Sequence, residues 1–308
     1  MIADRFQLHS TNQYLDLPLL AEKNITLAIK REDLLHPYIS GNKYRKLKYN
    51  LMTAKKQGSD TLLTFGGAFS NHIAAVAYAG KERGIKTIGV IRGEELYHNW
   101  YGNPTLDRAY QDGMQFKFVS RQAYKEKDSV GFIAELSKEY GDFYLVPEGG
   151  TNPLAVKGCE EILTEEDAAF NIITSCVGTG GTIAGLINSA NEQQQVLGFP
   201  ALKGDFLHKT LAEITVKDNW SLIMDYHFGG YAKITSELVR FINTFKTETG
   251  IPLDPVYTGK MLFGLLDMIK NDNFARGTKI LAVHTGGLQG VEGMNTVLRK
   301  KNLPLLDL

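Results

Sequence analysis

The segment Gly41-Asn42-Lys43-Tyr44-Arg45-Lys46-Leu47 sets three cations within four residues directly after a glycine turn, with Asn42 placed to cap the helix that follows. A lysine at a helix start feels the positive end of the dipole. Its pKa falls, which favours the free amine that Schiff-base chemistry requires. Taken alone, the segment reads more simply as a solvated basic helix face. A second motif, Gly178-Thr179-Gly180-Gly181-Thr182, follows a strand-like run and opens a helical one, so its backbone N–H groups can surround an anion. It lacks the lysine of a triphosphate loop and the distal acidic residue of a dinucleotide turn, and a monophosphate group fits it better. A plain strand-to-helix turn is the alternative.

Three further segments carry polar side chains in similar settings. Gly66-Gly67-Ala68-Phe69-Ser70-Asn71-His72 puts a hydroxyl, an amide and an imidazole at the start of a helix, where capping and structural roles compete with function. Asp254-Pro255-Val256-Tyr257-Thr258-Gly259-Lys260 places Tyr257 and Thr258 just ahead of a helix predicted over residues 261–269. Ala282-Val283-His284-Thr285-Gly286-Gly287 puts the Thr285 hydroxyl at the end of a strand, facing either a ligand or its own turn.

The elements that must position these residues alternate short β-branched runs with longer helical periods, the pattern of an α/β chain with a mostly parallel sheet. Strands are predicted over residues 61–65, 87–91, 115–119, 143–146, 171–177, 222–226 and 279–283. Several run straight into glycines, putting flexible backbone at strand carboxyl ends, where open α/β sheets bind ligands. At 308 residues, two domains across a cleft are the expectation. Lys plus Arg equal Asp plus Glu at 34 each, which leaves no surplus charge for nucleic acid or an anionic membrane. Cys159 and Cys176 are too few for a disulfide framework, and the amino terminus lacks the pattern of a secretory signal; a cytoplasmic location is expected. No metal site is assigned.

Together and in this order, the motifs resemble the aminocyclopropane-carboxylate (ACC) deaminase and D-cysteine desulfhydrase family of pyridoxal-phosphate enzymes, within the tryptophan-synthase-β-like class (fold type II). The matching residues are Lys30-Arg31-Glu32-Asp33 with residues 41–47, Ser70-Asn71-His72, residues 178–182, residues 253–260 and residues 284–287. The resemblance implies an inserted small α/β domain over residues 48–156, a large cofactor-binding domain from residues 1–47 and 157–308, and a homodimer. It implies pyridoxal 5′-phosphate held by Lys43, which also moves protons, with Lys46 and the Gly178, Thr179, Gly180, Gly181 and Thr182 loop on the phosphate. Asn71 would meet the ring hydroxyl, and Thr285 would stand by the ring nitrogen. Ser70, Asn71, His72, Tyr257 and Thr258 would face a small amino-acid substrate, with Ser70 and Tyr257 joining Lys43 in catalysis.

ACC deaminases follow the site tyrosine with glutamate and carry leucine before the last diglycine, whereas this chain has Thr258 and Thr285. The resemblance therefore favours β-elimination from D-cysteine to pyruvate, sulfide and ammonia over ring opening of ACC. Phe69 and Ser40 depart from the family's glutamine and glycine. Phe69 leaves a non-catalytic cofactor-binding protein as an alternative. A nucleotide-dependent oxidoreductase is disfavoured by the missing ribose-binding carboxylate.

Overall fold

The structure is a computed structural model that describes residues 9–39, 41–204 and 206–307, which leaves Ser40 outside the described residues. Among these, ten strands form two sheets. The larger joins β1 (Asn12–Tyr14), β2 (Thr26–Lys30), β7 (Ile172–Val177), β8 (Gln195–Pro200), β9 (Trp220–Leu222) and β10 (Lys279–Val283) in the order β1-β2-β10-β7-β8-β9. The smaller joins β3 (Thr61–Gly66), β4 (Lys86–Arg92), β5 (Met114–Val119) and β6 (Tyr144–Val146) in the order β5-β4-β3-β6. All pairings are parallel except that of β1 with β2 at the edge of the larger sheet.

A parallel sheet covered by helices on both faces needs apolar side chains on both, so its strands read as unbroken apolar runs. In β3, Leu62 enters the core beneath the helix Asn71–Arg83 while Leu63 and Phe65 enter the core on the opposite face. In β10, Ile280 and Ala282 face one core of the larger sheet, and Leu281 and Val283 the other. The period of two thus splits each continuous run between two cores.

The predicted strand over residues 222–226 is a correction: β9 ends at Leu222, and the chain then turns toward Gly229 and Gly230. Three strands lie outside the prediction. Within β8, Gly198 and Pro200 read locally as turn residues. Yet a Cβ at Gly198 would lie 2.5 Å from Ile183 and 2.6 Å from Leu222, so glycine there serves packing. β1 and β2 are short; β2 ends in Lys30, whose buried ammonium pairs with buried Asp167 at 2.7 Å.

Candidate active site

Four strand ends converge. β3 runs into residues 67–70, β6 into 147–151, β7 into 178–180 and β10 into 284–287, and these loops meet the amino-terminal turn of the helix Asn42–Lys56. The convergence lies at the carboxyl ends of parallel strands, where backbone N–H groups and helix starts point outward.

The helix Asn42–Lys56 begins at a position only glycine can hold. Gly41 has φ +49°, and a Cβ there would lie 2.1 Å from the carbonyl oxygen of Thr285, which also accepts a hydrogen bond from the Asn42 amide at 3.2 Å. Asn42 does not cap this helix, since Gly41 is the cap residue. Its side chain instead donates to the Thr182 hydroxyl at 2.7 Å and ties the Lys43 turn to the glycine loop. The same turn is anchored below, where Arg45 donates twice to the buried Glu32 carboxylate. Arg31 pairs with Asp33 at 2.7 Å. His284 accepts from the Gly286 amide through Nδ1, so its proton is on Nε2 and donates to the Pro252 carbonyl at 2.7 Å. Residues 30–33 are therefore a foundation under the site.

Lys43, Lys46, Asn71, Thr182, Tyr257 and Thr285 line an inner cavity of about 60 Å³, together with Gly178, Thr179 and Gly180. An outer chamber of about 480 Å³ shares Asn71, Gly149, Gly178, Thr179 and Tyr257 with it and adds Ser70, the cap of the helix Asn71–Arg83. Gly180 adopts φ +87° as the cap of the helix Gly181–Ser189, with no side chain satisfying the first-turn amides. Lys46 stands beside this helix start, 2% exposed, donating to the Gly149 carbonyl and the Thr151 hydroxyl at 3.0 Å each. A Cβ at Gly181 would approach Lys46 Nζ to 3.2 Å. An ammonium, two threonine hydroxyls and free helix amides on one spot form an anion site.

Electrostatics favour a neutral amine on Lys43. Burial lowers its pKa, and the charges that would raise it are weak. The thiols of Cys159 and Cys176 are pushed up by burial to about 11 and about 12, so both are neutral near pH 7. Asp254 is committed to the amides of Val256, Tyr257 and Thr258 and to the Thr258 hydroxyl. Lys46 is lowered to about 7, chiefly by burial, with a smaller effect from whatever charge Lys43 carries. Burial holds the Tyr257 phenol well above its ordinary value, and its ring packs edge-on against that of Tyr231 with the centroids 6.2 Å apart. Cys176 Sγ lies 3.0 Å from Thr285 Oγ1 on the cavity wall.

Two residues expected on the substrate side lie elsewhere. Thr258 is fully buried; its hydroxyl donates to Asp254 at 2.8 Å and accepts from the Asp254 amide at 2.9 Å, knotting the turn before the helix Thr258–Lys270. His72 is 1% exposed, and its Nε2 meets Thr64 Oγ1 at 2.9 Å. That hydroxyl donates to the Val146 carbonyl, so the imidazole supplies the proton between them. Burial lowers the His72 pKa well below its usual value, and the neutral ring packs under Gly150, supporting the loop that presents Gly149. Four residues went unassigned by sequence reasoning: Gly149, Thr151, Cys176 and Tyr231. For the first two the signal was present, because Glu148-Gly149-Gly150-Thr151 follows a strand and precedes a helix, as the other loops do. Tyr231 follows Gly229-Gly230 in the same manner. Cys176, in a buried strand, gave none.

Comparison with known proteins identifies the family. The model of the family described as pyridoxal-phosphate dependent enzymes matches residues 7–286. The chain belongs to that family. A Pyrococcus horikoshii protein provisionally named 1-aminocyclopropane-1-carboxylate deaminase is 36% identical over 85% of this chain and 84% of its own length. An Arabidopsis thaliana protein named bifunctional D-cysteine desulfhydrase/1-aminocyclopropane-1-carboxylate deaminase, mitochondrial, is 32% identical over 86% of this chain and 73% of its own. The solved structure of an ACC deaminase homologue superposes with a TM-score of 0.79 at 31% identity, covering 94% of both chains. The fold is that of the tryptophan-synthase-β-like pyridoxal-phosphate enzymes. The donor set fits the cofactor: Lys46 and the uncapped Gly181–Ser189 helix suit its phosphate, and the Lys43 amine faces the same cavity.

Proposed function

We propose that the protein degrades a small amino acid by β-elimination, with D-cysteine as the leading substrate. The observation that carries this reading is the pairing, in one cavity, of a lysine held toward its free amine with a glycine-loop anion site. Bound pyridoxal phosphate supplies an electron sink for negative charge at the substrate α-carbon. Lys43 would hold the cofactor through its amine and, once displaced by substrate, move the α-proton. Lys46, Thr179 and the amides of residues 178–182 would hold the phosphate, and Asn71 the ring hydroxyl. Ser70, at the start of the helix Asn71–Arg83, would receive the substrate carboxylate, and Tyr257 would close the substrate face.

Elimination is preferred to ring opening because no carboxylate lines the inner cavity among the described residues. The Thr285 hydroxyl and neutral Cys176 thiol there cannot hold a proton on a pyridine nitrogen, which leaves a milder sink suited to expelling a good leaving group. This support rests on Thr285 alone, since Thr258 is turned onto Asp254. ACC deamination is the second reading, favoured by the name of the Pyrococcus relative. The same proposal extends to a cytoplasmic homodimer.

A parallel turnover assay on the purified protein tests the reading, offering D-cysteine, L-cysteine, D-serine and ACC while sulfide, pyruvate and 2-oxobutyrate are followed. Sulfide with pyruvate from D-cysteine is expected, and Lys43→Ala should abolish turnover and leave any bound cofactor without a covalent link to the chain. 2-Oxobutyrate from ACC would move the protein to deamination. A yellow protein silent on all four amino acids would point to binding without catalysis, and a covalently attached cofactor in Lys43→Ala would remove Lys43 from its role.

A further inference from the structure

Beyond the space that the cofactor ring would take, the outer chamber has an apolar wall that the substrates considered so far do not cover. Its volume of about 480 Å³ falls within the roughly 300–1,000 Å³ typical of sites that hold drug-sized ligands. D-Cysteine and ACC are a handful of non-hydrogen atoms each, and most of those atoms would be engaged at the carboxylate and amine. What remains is walled by Phe69, Leu202, Val256, Met294 and Val297. Phe69 and Tyr231, both bordering the chamber, are 46% and 41% exposed. Aromatic rings left open at a site confer affinity only when something apolar covers them.

The lining of one wall leaves this space open. Gly290, Gly293, Met294 and Val297 fall on one face of the helix Gly290–Lys300, the two glycines leaving the wall without side chains. A Cβ at Gly293 would lie 2.8 Å from Phe69 Cδ1, so the ring is seated against this helix in the room that the missing side chain leaves. The opposite side is polar, with Arg92 and Glu148 at the rim. The chamber shares Asn71, Gly178 and Tyr257 with the cavity of Lys43, so it lies where the β-substituent of an amino acid anchored there would point.

We infer that the preferred substrate is a β-substituted alanine with a bulky apolar leaving group, of the class of aryl and alkyl thioethers of cysteine, and that Phe69 is its specificity-determining residue. The inference rests on the elimination reading above. The step balances without an external oxidant or reductant: the Cα–H and Cβ–S bonds break, the sulfur leaves with a proton as a thiol, and water converts the remaining three-carbon fragment to pyruvate and ammonium.

The test compares S-benzylcysteine with cysteine, each as both enantiomers, by pyruvate release from the full-length cofactor-loaded protein and its Phe69→Gln variant. In the enantiomer that reacts, kcat/KM should favour the benzyl thioether at least tenfold, the scale on which apolar pockets discriminate, and Phe69→Gln should collapse that ratio. A preference for cysteine, or a ratio indifferent to Phe69→Gln, would overturn the inference. Calorimetric binding of phenylalanine against alanine, neither of which carries a β leaving group, decides the same point without turnover. Phenylalanine should bind at least tenfold tighter, and equal affinities would sink the proposal. Failure of the elimination reading looks different, because the protein would then take up no cofactor or release no pyruvate from any thioether or thiol while phenylalanine still outbinds alanine.

Discussion

Burial, the larger cause, pushes Lys46 down to about 7, against 10.5 for an unperturbed lysine, so the folded chain binds fewer protons than the unfolded one between those two values. This group's contribution to stability therefore rises with pH across that window. An anion at the glycine loop reverses the shift, because a phosphate beside Lys46 favours the ammonium. Phosphate binding should thus take up a proton above about pH 7 and weaken as the pH rises further. Calorimetry of pyridoxal phosphate binding to Lys43→Ala, in buffers of different ionisation enthalpy, reads the uptake. Lys46→Met should remove it and weaken binding roughly tenfold to a hundredfold, as expected for a lost charge-assisted hydrogen bond of about 1.5–3 kcal/mol; undiminished uptake would exclude Lys46 as the partner. Thr258 gives a second prediction, set by its buried bonds to Asp254. Thr258→Val leaves the Asp254 amide unsatisfied and should cost about 1–3 kcal/mol in denaturant unfolding, with Thr258→Ser close to the parent. Lys43 and Lys46 are legible in the sequence because a cation cluster after glycine is a local signal. The turning of Thr258 onto Asp254 and of His72 onto Thr64 is not, since only the folded backbone decides which way a short polar side chain points.

The loop carrying Tyr231 shows how an element is held when it has no ladder of its own. Phe228 and Ala232 take φ of 53° and 54°, and Gly229 and Gly230 between them are also positive, so two side-chain-bearing residues occupy a region that costs about 1–2 kcal/mol each. The compensation comes from the helix Thr258–Lys270. Lys260, 2% exposed, donates to the carbonyls of His227 at 2.9 Å and Gly230 at 2.8 Å. Burial lowers this lysine to about 8. Lys260→Met should free the loop, raising amide hydrogen exchange over residues 227–232 and the KM of any substrate that touches Tyr231. Exchange unchanged from the parent would mean that apolar packing alone holds the loop. Element types and most strand positions follow from periodicity, yet residues 222–226 were misplaced by that same criterion. Leu222 through Tyr226 has the apolar content of a strand, but the partner β8 ends at Pro200 and its ladder to β9 stops at Leu222.

At the scale of the whole molecule, the chain crosses between the two sheets twice, and the helices Asn42–Lys56 and Pro153–Glu160 lie at those crossings. They touch at Gly158, where a Cβ would come within 2.1 Å of the Arg45 carbonyl oxygen. The site draws Asn71 and Gly149 from loops of the smaller sheet, and the Gly178 loop, Tyr257 and Thr285 from the larger side. Composition shows no linker, so a division into an inserted domain over residues 48–156 and a flanking large domain stands as a proposal drawn from the family resemblance. It makes a mechanical claim: if the halves are separate bodies, both chain crossings run through this helix pair, and closure on substrate would pivot there. Closure would draw Asn71 and Ser70 toward Tyr257 and exclude water from the amine of Lys43 before its proton transfer. X-ray scattering from the cofactor-loaded protein, with and without an alanine enantiomer that cannot eliminate, measures this directly. A smaller radius of gyration with ligand is expected. Identical curves would mean a rigid pair of sheets, with water excluded by the loop bearing Tyr231 and by whatever β-substituent fills the outer chamber.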